Sequence, residues 1–138
     1  MRRRQSGIAL LEALLAVVIL AIGLLGTLGL QARAYSAMAE ASTRAEATMA
    51  AEKLLGLMSN DQANLAAYAV VLGATPSTRL ATWYAETQAA IPNAEIIVTV
   101  GPVAGTARSV ITVSIAWTRK VGSPKNTHSM TAYVSQSS

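Results

Sequence analysis

The chain has 138 residues, enough for one small domain and an anchor, with a hydrophobic share of 52% and no cysteine. The absence of cysteine excludes disulfide staples and thiolate metal sites, so any soluble part holds by packing alone. Eleven basic residues against seven acidic ones give +4; without Arg2, Arg3 and Arg4 the count is eight against seven, a net +1 that does not point to a polyanionic partner.

The N-terminus is Arg2-Arg3-Arg4, then Ser6-Gly7-Ile8-Ala9-Leu10-Leu11-Glu12. An apolar stretch of 23 residues runs from Ile8 to Leu30, with Glu12 as its single charge. That length spans about 30 Å of hydrocarbon and exceeds the roughly 7–15 residues of a secretory signal core. Ala32-Arg33-Ala34 before Tyr35 fits an A-x-A cleavage pattern, but the long span and the intramembrane carboxylate argue against it. A carboxylate in hydrocarbon costs a few kcal/mol and asks for a partner or a function. The basic leader places the N-terminus in the cytoplasm and the rest of the chain across the membrane.

A short basic leader, a glycine, an apolar residue, and a glutamate five places after the glycine resemble the class III signal of type IV prepilins. The resemblance implies cutting by a prepilin peptidase between Gly7 and Ile8, N-methylation of Ile8, and subunit assembly through Glu12. It makes residues 1–7 a leader, 8–30 a transmembrane helix and 31–138 a periplasmic pilin-like domain. The stretch Val18 to Gln31, with Ile22-Gly23-Leu24-Leu25-Gly26 and Leu30-Gln31, is most similar to the anchor of the pilus modification minor pilins, the V class. It departs from many pilins in lacking a proline before Pro76 and a C-terminal disulfide loop.

Cutting after Gly7 would create an α-amine of pKa about 7.7–8.0, about one helical turn before Glu12. Glu12 then either pairs with a neighbour's terminal amine and sets axial register, or snorkels to the cytoplasmic interface. Gly23, Gly26 and Gly29 each cost about 1 kcal/mol against alanine in a helix. Either they let the helix unwind on assembly, or they form a small face for close helix contact.

From Gln31 the chain is rich in helix formers, so the helix should continue to about residue 58, Ile8 to Leu57 being about 75 Å. Ala34, Met38, Ala41, Ala45, Thr48 and Leu55 suggest its buried stripe, and Ser59-Asn60-Asp61 should break it. In the connecting segment, 59–93, Leu65 to Leu72 is expected as a short helix ending at Gly73. Thr78 to Ala90 is expected as a second helix, capped by Ser77 or Thr78, anchored by Leu80, Trp83 and Tyr84, and ended by Ile91-Pro92-Asn93.

The hydrophobic period then changes to two, and 94–134 reads as a β-meander. Ala94 to Val100 and Ser109 to Thr118 are strands, Gly101 to Thr106 is turn-like, Arg119 to Asn126 is a loop, and His128 to Val134 closes the sheet. The expected class is α+β and pilin-like, a long N-terminal helix packed on a small antiparallel sheet.

No catalytic constellation appears, so the chain reads as no enzyme, with no cofactor and no small-molecule substrate. His128 is the only histidine, and Ser129 beside it has no acidic residue near in sequence. Arg119, Lys120 and Lys125 form a small basic cluster with few aromatics. It reads as a solvated hairpin loop rather than a nucleic-acid site. The resemblance implies a minor pilin in the inner membrane and then the pilus, with the prepilin peptidase and other minor and major pilins as partners. A minor pseudopilin of a type II secretion system and a DNA-uptake minor pilin are the alternatives.

Overall fold

A computed structural model describes residues 6–119 and 122–135. The arginines of the leader and Lys120 lie outside the described residues. The elements in order are helix α1 (Ser6–Asn60), a 3-10 helix (Gln62–Tyr68), helix α2 (Thr78–Ala90) and strands β1 (Glu95–Pro102), β2 (Arg108–Trp117) and β3 (Asn126–Ser135). This is the expected α+β arrangement. The chain divides into two compact units, residues 1–41 and 42–138.

In the first unit the side chains from Ile8 to Leu30 are all exposed. By length and composition this helix is apolar enough to cross a membrane.

The second unit has one apolar core. The sheet order is β1-β2-β3, all antiparallel. Alternation sends Ile96 and Val98 of β1 and Ile111, Val113, Ile115 and Trp117 of β2 to the buried face. Ala47, Ala51, Leu54 and Met58 of α1 join that core and are fully buried. The expected stripe is therefore corrected: Ala34, Met38, Ala41 and Ala45 are exposed, and Thr48 and Leu55 are only partly covered. In an alanine-rich helix several faces satisfy the 3.6 period, and the partner layer chooses among them.

Helix α2 follows its expected bounds. Ser77 caps it, its hydroxyl accepting from the Leu80 amide at 3.4 Å and donating to the Ala67 carbonyl. Leu80 and Trp83 enter the core. The Trp83 indole N–H donates to the Ala50 carbonyl of α1 at 2.8 Å, so the ring is buried with its polar atom satisfied. Lys53 and Glu86 add an exposed ion pair between the same helices, worth little by itself.

The connecting segment differs from expectation. The short helix lies at Gln62–Tyr68, earlier than Leu65 to Leu72, and is a 3-10 helix. Val70 instead pairs with Val98, its N–H donating at 3.0 Å and its carbonyl accepting at 2.9 Å. Val71 and Leu72 are exposed. The backbone of Val70 finds a strand edge, which ends the helix before its apolar run is used up. The hairpin after β1 is also tighter than expected, with Gly101 and Pro102 still paired to Val110 and Ser109. Gly105, at φ 74°, makes the turn.

Asp61 holds this junction together. One carboxylate oxygen accepts from Asn64 Nδ2 at 2.6 Å; the other accepts from Tyr68 Oη at 2.9 Å and Arg79 Nη1 at 2.6 Å. The sequence marked Asp61 only as a helix breaker. These hydrogen bonds, first Asn64 and then Tyr68, with the Arg79 charge, hold its carboxyl below the usual value of 3.8 against the opposing effect of burial. Burial first, and then the bond to Asp61, push the Tyr68 hydroxyl above 10.0.

The pH consequence has a definite sign. A depressed carboxyl means the unfolded chain binds the proton more readily, so Asp61 contributes stability above pH 3.8 and loses it as pH falls through the lower folded value. Tyr68 contributes below pH 10.0 and loses its contribution as pH rises through the higher folded value. We expect Asp61→Asn to lower the melting temperature at neutral pH. The gap to wild type should close as the pH is taken below 3.8. Thermal unfolding followed by tryptophan emission checks this; a gap that stays constant down to low pH refutes the assignment.

Candidate functional site

The sequence-marked residues Gly7, Ile8, Glu12, Gly23, Gly26 and Gly29 all lie on α1, Gly7 just before the exposed apolar segment and the others within it. In hydrocarbon each backbone N–H and C=O must bond within the segment, so glycine's low helix propensity is overridden. Thr27 also hides its hydroxyl, donating to the Leu24 carbonyl at 2.8 Å.

Glu12 lies on the same helix face as Ile8, Leu11, Leu15, Ala16 and Ile19. Ile8 is one turn back, Leu15 and Ala16 are one turn forward and Ile19 two turns forward, while Leu11 flanks the face one turn before Leu15. The carboxylate is therefore ringed by apolar groups, and no cation among the described residues pairs with it. An unpaired carboxylate is costly in hydrocarbon.

The glycines are informative through what surrounds them. A Cβ placed on Gly7, Gly23, Gly26 or Gly29 would meet nothing within 4 Å beyond its chain neighbours and the backbone of its own helical turns. None of the four has a positive φ. Neither packing nor backbone conformation inside this chain therefore requires glycine at any of them. Each costs helix stability that alanine would restore.

The second unit offers little chemistry. No group of three or more histidine, cysteine or acidic side chains that could hold a metal occurs among the described residues. Lys125, one member of the basic cluster, is bound to Glu95, its Nζ donating at 2.7 and 2.6 Å to the two carboxylate oxygens. Glu95 and Thr127 flank Ala116 in the register, so this ion pair crosses the outer face of the sheet above a small residue. Both tryptophans are shielded, Trp83 at 2% and Trp117 at 3% exposure, which makes them core residues rather than a stacking platform.

Residues 2–28 match the model of the prokaryotic N-terminal methylation motif. The match covers the leader and most of the exposed apolar segment, and it supports a pilin-like protein. No curated protein and no solved structure matches the chain.

Proposed function

We propose that the chain is a minor pilin of a type IV pilus system, nearest the pilus modification class. It is made as a prepilin, cut after Gly7 and methylated at the Ile8 amine. It waits in the inner membrane with its N-terminus cytoplasmic and the domain after residue 30 periplasmic. It then joins a filament through α1 and aids assembly or priming, with other minor and major pilins as its neighbours. The observation that carries the reading is one segment: a methylation motif over residues 2–28 on an apolar helix that nothing in the chain buries.

A pseudopilin of a type II secretion system would use the same anchor and remains the second reading of that segment. The DNA-uptake reading is weakened by geometry, because Lys125 is neutralised by Glu95. No catalytic role is assigned to any residue.

The test is to produce the full chain in cells that carry a type IV pilus system, then to shear and collect filaments. The filament fraction should contain the chain beginning at Ile8, seven residues shorter than the precursor, with the mass of one added methyl group. A chain confined to the membrane fraction, or one recovered only with secretion-system pseudopilins, overturns the pilus reading.

A further inference from the structure

Two charges bracket the apolar part of α1. From Glu12 to Arg33 the helix rises about 32 Å along its axis. Every residue between them, Ala13 to Ala32, is uncharged and exposed. The hydrocarbon of a bilayer is about 30 Å thick, so this stretch fills it once and leaves one charge at each face. Sliding the helix by one turn in either direction carries Glu12 or Arg33 into hydrocarbon, where an ionised group is disfavoured. The apolar run from Ile8 to Leu30 does not decide the depth by itself, because its first four residues stand before Glu12.

Neither charge has a partner on its own helix face. Gly29, Leu30, Ser36 and Ala37 stand three and four places from Arg33, and none is acidic. Arg33 is exposed, and it is absent from the ion pairs among the described residues. Two residues further, Tyr35 is 72% exposed. A phenol at that height offers its ring to the acyl boundary and its hydroxyl to water. The Cα–Cβ bonds of an α-helix tilt toward its N-terminus. Glu12 therefore leans out through the near face of the bilayer, whereas Arg33 leans back onto the far one. From a Cα just above the hydrocarbon, the guanidinium comes down to the level of the lipid phosphates, whose oxygens fit its planar fork of donors.

We propose that Arg33 binds lipid phosphate in the outer leaflet, and that this contact, with Glu12 at the opposite face, holds the anchor at one depth with Ala13 to Ala32 in hydrocarbon. This rests on the reading of α1 as a membrane anchor. Depth alone brings phosphate within reach of Arg33, whereas an acidic protein group would need a second chain. Before assembly, Glu12 is then hydrated at the cytoplasmic face.

The chain has no cysteine, so a single introduced thiol reports depth without background. The full chain is reconstituted in vesicles of phosphatidylethanolamine and phosphatidylglycerol in phosphate-free buffer, with cysteine in place of Ala9, Leu20 or Ala34. Both faces are exposed to a charged, water-soluble maleimide. Expected is fast reaction at Ala9→Cys and Ala34→Cys and none at Leu20→Cys. Arg33→Leu should slow the reaction of Ala34→Cys about tenfold or more, because the apolar run then reaches past it. Arg33→Lys keeps a charge that reaches the interface and should slow it less than about threefold. The phosphate contact is read separately by solid-state NMR, as dephasing of isotope-labelled arginine guanidinium carbon by lipid phosphorus. A charge-assisted N–H···O contact of about 2.8 Å gives a strongly dephased component, and the difference between wild type and Arg33→Lys isolates the part due to Arg33. An unchanged rate at Ala34→Cys in Arg33→Leu, or no dephased component from Arg33, overturns the proposal, while an unreactive Leu20→Cys keeps the span. Reaction at Leu20→Cys as fast as at Ala9→Cys removes the span itself, and the proposal with it.

Discussion

Gly7→Leu leaves the chain at its precursor length in the membrane. Co-expressed with a prepilin peptidase, the variant should be cut at least about 100-fold more slowly than wild type, a barrier increase of about 2.7 kcal/mol. The structure removes the usual objection to such a result. A Cβ at Gly7 meets nothing within 4 Å, and leucine is a better helix former than glycine, so the substitution does not disturb the chain itself. A lost cut then reports the contact between backbone and peptidase, where close approach to a carbonyl carbon demands the absence of a side chain. Time-resolved mass analysis is the measurement. Cutting of Gly7→Leu at the wild-type rate would sink the assignment, and a mature chain beginning at Tyr35 would establish an ordinary secretory signal.

Glu12→Val should be inserted and cut normally, yet disappear from filaments. Replacing a carboxylate by an apolar side chain favours the hydrocarbon, and on the apolar face formed by Ile8, Leu11, Leu15, Ala16 and Ile19 valine packs without cost. Assembly is different. If the carboxylate of one subunit meets the terminal amine of its neighbour, removing it leaves a buried cation, and breaking such a pair costs about 3–5 kcal/mol. That corresponds to a loss of roughly two to four orders of magnitude in incorporation at equilibrium. Glu12→Gln keeps the shape and one acceptor and should lose less. The measurement is the ratio of tagged protein in sheared filaments to that left in the membrane. Wild-type incorporation of Glu12→Val means that Glu12 merely reaches the interface and sets no register.

These two results concern the segment that sequence exposes most plainly. A run of 23 residues without a second charge is legible because the fitness of a segment to cross a bilayer depends on length and composition and needs no tertiary partner. The same holds where a local signal suffices. Ser77 and Ile91-Pro92 delimit α2 because a side chain caps one end and proline restricts the other. The alternation from Ile96 through Trp117 sets the sheet faces because one face must be dry.

What sequence could not decide is what another element decides. The buried face of α1, Ala47, Ala51, Leu54 and Met58, was one of several that alanine-rich sequence permits, and the sheet selected it. Leu65 to Leu72 carries a helical pattern, yet Val70 pairs with Val98, since a nearby strand edge offers its backbone two bonds. Asp61 reads as a breaker, and becomes a hub when Asn64 and Tyr68 of the 3-10 helix that follows it and Arg79 of α2 meet its carboxylate. The edge position of β3 is likewise invisible in its residues, because an edge is a property of strand order. Local composition and period fix what depends on solvent and on neighbours within a turn or two, while faces and edges depend on contacts distant in sequence and exist only once the fold has formed.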